Sequence, residues 1–265
     1  SSLTLSGSTI DHNTATYNGG GIFAGGSVTL TTTNLNANTA GNHGGGLHAN
    51  GSVALTGGTV SSNHALNGNG GGINVNAGLT VSGTAFNGNS AAGLSDITGS
   101  GGAITQWNSG QTVSISAATF TTNTAQVKGG AVFINASFLT LSGSTFTGNE
   151  VDSGGTGSTY GGGVYAGGGL DGSGLNFVSN KVKCNGCAAT AGGGLEIERP
   201  ATGPSTVASS SFDGNLAWFG SGISSSSKVQ LTLTGSSFTN NGGLTAGAMA
   251  GYGGGVDAFW VHGDQ

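Results

Sequence analysis

The sequence predicts an all-β chain that folds as a single-stranded right-handed parallel β-helix, a β-solenoid of about nine coils that forms one domain over residues 1–265. Three observations predict this fold. A unit of about 25 residues recurs along the chain. Short runs of alternating apolar and polar residues lie between clusters of turn-forming residues. Glycine supplies 57 of the 265 residues, whereas charged residues supply only 6%.

The repeat is marked by a large apolar residue, the anchor, followed three positions later by asparagine. A unit this short cannot bury its own apolar face, so its copies must stack on one another. Parallel stacking places each asparagine on its equivalent in the next coil at about 4.8 Å, and we therefore expect a structural ladder of hydrogen-bonded amides. The asparagines of this ladder are Asn13, Asn38, Asn63, Asn89, Asn123, Asn149, Asn180, Asn215 and Asn241.

Each unit predicts three short strands. The first carries an aliphatic pair two residues apart, such as Val28 and Leu30, the second carries the anchor, and the third begins at an aliphatic residue such as Leu47 after a glycine cluster. Glycine suits the tight corners between these strands. Four units carry insertions after the ladder asparagine, and these predict loops that extend from one side of the solenoid. The insertions cover residues 91–100, 151–160, 181–191 and 242–253.

Composition and residue spacing exclude several classes of partner and cofactor. With 5 basic residues, 10 acidic residues and a net charge of −5, the chain cannot pair along a phosphate backbone, so we expect no nucleic acid partner. No apolar stretch approaches the about 18 residues of a membrane-spanning helix, so we expect no membrane insertion of this segment. No cofactor or metal site is expected, because the histidines do not recur in register and are interpreted as polar turn residues. They are His12, His43, His48, His64 and His262.

The repeat resembles a known family. Phe120 and Asn123, followed by Gly-Gly-Ala-Val at 129–132, are similar to the paired Phe-x-x-Asn and Gly-Gly-Ala-Ile motifs of the polymorphic membrane protein repeats, and residues 101–104 read Gly-Gly-Ala-Ile. These repeats occur in chlamydial autotransporter adhesins and other bacterial surface β-helix proteins. The resemblance implies an extracellular or cell-surface adhesin or structural, fibre-forming module. Its implied partner is a protein or glycan of a host or neighbouring cell surface.

Aromatic and acidic residues predict a ligand-binding platform. Alternation points the residue after each closing aliphatic away from the core, and this column includes Phe133, Tyr165 and Glu196. Trp107 and Glu198 lie two positions beyond this column in their own coils. Flat aromatic faces beside polar groups can bind a sugar or a peptide. The alternative interpretation is that loops fold over these rings.

Among the acidic residues, Glu196 and Glu198 most resemble the pair of carboxyl groups that a glycosidase uses. Two residues apart on one strand, their Cα atoms lie about 7 Å apart, a separation compatible with an inverting glycosidase. Outward carboxylates on a solenoid strand more commonly belong to a solvated face. The residues therefore favour a protein without catalysis. The alternative function is a polysaccharide-binding or polysaccharide-degrading β-helix protein.

A second outward array precedes the anchors. Hydroxyl residues occupy both outward positions in six coils, and they resemble the ice-binding faces of antifreeze β-solenoids, which gives ice binding as a third function. Threonine and serine also simply suit exposed strands, and Ala54, Asp171 and Ala208 interrupt the array. The hydroxyl pairs are Thr4/Ser6, Thr29/Thr31, Thr80/Ser82, Ser114/Ser116, Thr140/Ser142 and Thr232/Thr234.

The two cysteines and the chain ends complete the predictions. Cys184 and Cys187 lie in Lys-Cys-Asn-Gly-Cys, and we expect a local disulfide that closes a turn. A zinc half-site would need a second ligand pair, and a redox pair would need a βαβ setting.

The sequence shows no terminal cap, so we expect either a segment of a longer solenoid or copies that stack end to end into a fibre.

Overall fold

A computed structural model describes residues 1–93, 98–153, 157–184, 189–198, 203–226, 228–243 and 253–260. These residues form strands and no helix, and strands of successive coils pair in parallel. The fold is a parallel β-helix of nine coils, which confirms the architecture predicted from the repeat. The predicted Cys184–Cys187 disulfide lies outside the described residues, because Cys187 and the side chain of Cys184 are not among them.

Four sheets follow the solenoid axis, and a fifth joins two inserted segments. Sheet I contains β1 (Leu3–Ser6), β5 (Val28–Thr31), β9 (Val53–Thr56), β13 (Leu79–Ser82), β17 (Val113–Ser116), β21 (Leu139–Ser142), β26 (Leu170–Ser173), β31 (Ser205–Ala208) and β34 (Leu231–Thr234). Sheet II contains β2 (Thr9–Asp11), β6 (Asn34–Asn36), β10 (Thr59–Ser61), β14 (Ala85–Asn87), β18 (Thr119–Thr121), β22 (Thr145–Thr147), β27 (Asn176–Val178), β32 (Ser211–Asp213) and β35 (Ser237–Thr239).

The other strands follow the ladder asparagines and the glycine clusters. Sheet III contains β3 (Thr14–Ala15), β7 (Thr39–Ala40), β11 (His64–Ala65), β15 (Ser90–Ala91), β19 (Thr124–Ala125), β23 (Glu150–Ser153) and β28 (Lys181–Cys184). Sheet IV contains β4 (Ile22–Ala24), β8 (Leu47–Ala49), β12 (Ile73–Val75), β16 (Ile104–Gln106), β20 (Val132–Ile134), β25 (Val164–Ala166), β30 (Leu195–Ile197), β33 (Ile223–Ser226) and β36 (Val256–Trp260). Sheet V pairs β24 (Thr159–Tyr160) with β29 (Thr190–Ala191).

Two predictions about the strands were wrong. Most coils contain four strands rather than three, because the two residues after the ladder asparagine also pair, as β11 does with β7 and β15. The insertions at 151–160 and 181–191 are also not simply loops, since β23 pairs with β28 and β24 pairs with β29. Buried backbone groups need partners, and insertions on adjacent coils supply partners to each other.

Stacked aromatic rings run through the core from the fourth coil to the ninth. The rings of Phe86, Phe120, Phe146, Phe177 and Phe212 are fully buried. Successive ring centroids lie 4.7–4.9 Å apart with interplanar angles of 1–8°, and Phe238 continues the stack. This distance measures the rise of one coil and matches the usual spacing of hydrogen-bonded strands. Each anchor therefore packs on its own equivalents above and below.

The side-chain amides of the ladder asparagines form hydrogen bonds with one another. Asn123 is fully buried, and its Nδ2 donates to Asn149 Oδ1 at 2.9 Å and to the carbonyl of Phe86 at 3.0 Å. Its Oδ1 accepts from the backbone nitrogen and Nδ2 of Asn89, at 3.0 and 2.9 Å. The same amide-to-amide bond links all nine positions, at 2.9–3.0 Å. Each interior amide thus uses both donors and accepts twice, which leaves no buried polar atom of the ladder without a partner.

The residue before each ladder asparagine adopts the left-handed conformation in every coil. Its φ lies between 50° and 64°, and six of the nine positions hold a residue with a Cβ atom. The nine residues are His12, Ala37, Ser62, Gly88, Thr122, Gly148, Ser179, Gly214 and Asn240. A side chain at such a φ costs about 1–2 kcal/mol, so these corners store strain that glycine removes.

Thr122→Gly is therefore expected to raise the free energy of unfolding by up to about 1.5 kcal/mol. Relief of the left-handed strain contributes about 1–2 kcal/mol, and the greater flexibility of glycine in the unfolded chain takes back about 0.5–1 kcal/mol. Urea denaturation measures the difference. Thr124→Gly, at an exposed strand position with ordinary φ, is the control and should destabilise. A Thr122→Gly midpoint below that of the parent chain would contradict the strain argument.

Candidate functional site

Sheet IV stacks the predicted outward column in continuous register. Phe133 pairs with Tyr165, and Tyr165 pairs with Glu196 in the next coil. The column lies outside the main core, as alternation predicts. It does not form an exposed platform, however, because Phe133 is only 4% exposed and Tyr165 only 3%. The predicted aromatic platform is therefore wrong for these two residues.

Inserted segments explain the burial of these rings. Phe133 and Tyr165 belong to a second apolar cluster on the outside of sheet IV, together with Tyr160 of β24, Trp218 and Phe219. The Phe133 and Tyr165 rings stack at 5.1 Å. Burying large aromatic surface is strongly favourable, so chain inserted beside exposed rings tends to cover them. The alternative interpretation, in which inserted chain folds over the rings, is the one that the structure supports.

The predicted carboxylate pair lies in this covered region. Glu196 is fully buried, in contrast to the solvated face expected from alternation. Glu198 is half-buried and accepts a hydrogen bond from the Tyr165 hydroxyl. The Lys128 ammonium lies 4.8 Å from the centroid of the same tyrosine ring, which places a cation on the ring's negative face. These contacts hold the region together, and a fully buried Glu196 cannot reach a polysaccharide chain.

Trp107, another predicted binding residue, lines an open cleft. Its half-buried ring packs against Phe133 on one side, with centroids 5.9 Å apart, and lines a cavity of about 260 Å³ on the other. The cavity lies on the outside of sheet IV, across the second to fourth coils. It is lined by His43, His48, Asn69, Asn74, Asn76, Thr98 and Trp107.

The repeat positions these lining residues at equivalent sites in neighbouring coils. His48 and Asn74 pair in register on sheet IV and stand directly after the closing aliphatic residues. His43 and Asn69 each precede the first glycine of a cluster. Thr98 comes from the insertion at 91–100. The cleft therefore lies where Thr98 stands beside the surface of the second and third coils, which carry no insertion.

Hydrogen bonds fix the orientation of His43. Its Nδ1 accepts the backbone N–H of Asn69 at 3.0 Å, so the neutral ring carries its proton on Nε2. Asn69 Oδ1 accepts the backbone N–H of Ser100 at 2.9 Å in the next coil. Burial lowers the pKa of His43, and the charge of nearby His48 lowers it further. The ring is therefore neutral near pH 7.

His48 lines the cleft beside His43. Its ring stacks on Phe23 with centroids 5.4 Å apart and planes 4° apart, and it lies 6.3 Å from the ring of His43. Burial lowers its pKa, although hydrogen bonds to Asn50 and Asn74 act in the opposite direction. Asn50 Oδ1 lies 3.3 Å from His48 Nε2 and also accepts from Asn76 Nδ2 at 3.0 Å. Amides thus hold the ring in place.

The cleft combines one large aromatic surface with several amide and imidazole groups. None of its described lining residues carries a formal charge at neutral pH. Such a surface can stack against a flat apolar face and exchange hydrogen bonds with hydroxyl groups.

Within the described ranges, no three histidine, cysteine or acidic residues gather as metal ligands. The same ranges contain no helix that is both long and apolar enough to cross a membrane.

Sequence reasoning did not identify most of this cleft. His43 and His48 were expected to be turn residues, because no histidine column recurs along the solenoid. The position of a residue within the repeat could have located the cleft. Residues that precede the first glycine of a cluster and residues that follow the closing aliphatic residue lie on the same face of the solenoid. Comparison of the chain with protein-family models, curated proteins and solved structures returned no match.

Proposed function

We propose that this chain is a non-catalytic, extracellular binding module of the adhesin type, and that its cleft holds a neutral glycan of a host or neighbouring cell surface. The observation that carries this proposal is the uncharged cleft in which Trp107 faces amide and imidazole side chains. The resemblance to polymorphic membrane protein repeats supports an extracellular, adhesive role.

The chemistry of the cleft matches that of a sugar ring. One face of a pyranose is apolar and can lie against the Trp107 indole, while its edge carries hydroxyl groups that donate and accept hydrogen bonds. Asn69, Asn74 and Asn76 offer amide donors and acceptors. An acidic sugar would need a cation, and the described lining residues offer none near pH 7, which favours a neutral ligand.

The size of the cleft limits the ligand to a short unit. Its volume of about 260 Å³ lies just below the about 300–1,000 Å³ typical of pockets for drug-sized ligands. One or two sugar units of a longer chain therefore fit at a time. Because a glycan on a cell surface presents the same unit many times, many copies of a weak site can still give firm attachment.

The absence of a carboxylate among the described lining residues argues against glycoside hydrolysis at this site. Hydrolysis requires two carboxyl groups that flank the scissile bond. The predicted pair, Glu196 and Glu198, is not placed to supply these carboxyl groups. Glu196 is fully buried, and Glu198 accepts a hydrogen bond from Tyr165. Binding without turnover is the function that these contacts support.

Trp107→Ala is expected to weaken binding to neutral oligosaccharides. Burying a large apolar side chain contributes about 1.5–3 kcal/mol, so the Kd should rise about tenfold or more. A glycan array with neutral and acidic oligosaccharides identifies the ligand, and titration calorimetry measures the Kd of both proteins. Chromatography of the incubated ligand tests for cleavage.

Tyr17→Ala is the matched control. Tyr17 is 72% exposed and does not line the cleft, so its removal should leave the Kd unchanged. The proposal fails if neutral oligosaccharides do not bind, if the Trp107 and Tyr17 variants bind equally well, or if shorter products appear in the incubated ligand.

A further inference from the structure

The outward face of sheet I carries a two-dimensional array of hydroxyl groups. From β1 to β21, eleven of the twelve outward positions hold threonine or serine, and Ala54 is the exception. The structure adds Thr56 to the pairs read from the sequence, because β9 pairs Thr56 with Thr31 and Ser82. We propose that this face binds the surface of an ice crystal.

The spacing of the array is set by the fold. Along the solenoid axis the repeat is one coil, which the phenylalanine stack measures as 4.7–4.9 Å. Across the face, the two columns lie two residues apart on each strand, or about 6.7 Å. The four-residue register continues without a bulge through all six strands. A partner that meets this array at every coil must itself repeat at fixed spacing, as a crystal surface does.

The hydroxyl groups are available for water. All eleven are exposed or half-exposed, and only Ser116 makes an intramolecular bond, from its Oγ to the carbonyl of Val81 at 3.2 Å. A hydroxyl both donates and accepts, so it can occupy the place of a water molecule at a crystal surface. Each threonine also presents a methyl group, around which water forms an ordered layer.

The face lacks the groups that other partners require. No charged side chain stands at these twelve positions, and the first one on the outward face is Asp171 in the seventh coil, which accepts a hydrogen bond from Thr206 at 2.5 Å. None of the exposed large apolar side chains of the described residues lies on the six sheet I strands that carry the array (β1, β5, β9, β13, β17 and β21). Protein interfaces depend on buried aromatic or arginine anchors, so a protein partner is not favoured here.

Thr80→Tyr tests the proposal in the intact chain. Thr80 is exposed near the middle of the array, and tyrosine has a β-propensity similar to that of threonine, so the strand should form while the ring holds ice away from the neighbouring hydroxyls. The parent chain is expected to inhibit ice recrystallisation and to show thermal hysteresis. The Thr80 variant should lose both activities while keeping the dichroism spectrum of the parent.

Thr124→Tyr supplies the matched control, since Thr124 is exposed on sheet III, away from the array. It should keep full activity. The proposal is overturned if the parent chain neither inhibits recrystallisation nor shows hysteresis, or if the two variants lose activity equally. Glycan binding uses sheet IV, so the calorimetric Kd of both variants should match that of the parent whatever the ice assays show.

Discussion

Asn123→Asp is expected to destabilise the central coils by about 3–5 kcal/mol, the usual cost of leaving a buried charge without its partner. The substitution keeps the shape of the side chain but removes both amide donors. Its new oxygen would face the carbonyl of Phe86 and the Oδ1 of Asn149, which are both acceptors. Two favourable hydrogen bonds therefore become two repulsive contacts in a fully buried position.

Urea denaturation followed by dichroism measures this effect, and pH gives it a distinct signature. Burial disfavours the charged form of the introduced carboxyl group, so a protonated carboxylic acid regains one donor. The stability of the variant relative to the parent chain should therefore rise as the pH falls. Thr124→Ala, at an exposed position one residue away, is expected to change the midpoint little. A variant as stable as the parent at pH 7 would mean that the ladder does not support the coils.

The fold could be predicted because a solenoid turns sequence spacing directly into spatial contact. Phe120 and Phe146 are 26 residues apart in sequence, and the structure stacks their rings at 4.7 Å. The same interval carries Asn123 onto Asn149. No long-range pairing has to be guessed when every contact between coils repeats the period of the chain. The core, the ladder positions and the main strands therefore follow from the repeat.

The candidate site was less predictable because it depends on where the insertions break that repeat. Alternation correctly directs Phe133 and Tyr165 away from the core, but it cannot tell whether inserted chain covers them. Pairing between β24 and β29 helps to cover those rings, whereas the outward surface of sheet IV at His48 and Asn74 lines an open cleft. The difference arises from contacts between insertions, which have no period and leave no regular pattern in the sequence.

Gly71→Ala is expected to separate two coils and to destabilise the fold by at least about 3 kcal/mol, the upper end of the usual cost of overpacking. A Cβ atom at this position would lie 2.4 Å from the carbonyl oxygen of Gly102 and 2.4 Å from the carbonyl group of Ser90. Both obstacles are backbone atoms fixed by hydrogen bonds between coils, so neither can rotate away. Relief requires the coils to move apart, which weakens the asparagine ladder and the apolar stack together.

Gly25→Ala separates this steric effect from the general effect of replacing glycine. A Cβ atom on Gly25 would meet nothing within 4 Å, and the residue has no left-handed φ. Because alanine restricts the unfolded chain, this variant should be more stable by about 0.4–1 kcal/mol. Urea midpoints of the two variants should therefore move in opposite directions from the parent. If both move the same way, the glycine at position 71 serves flexibility rather than the close approach of two backbones, and the paired glycines at this corner would need another explanation.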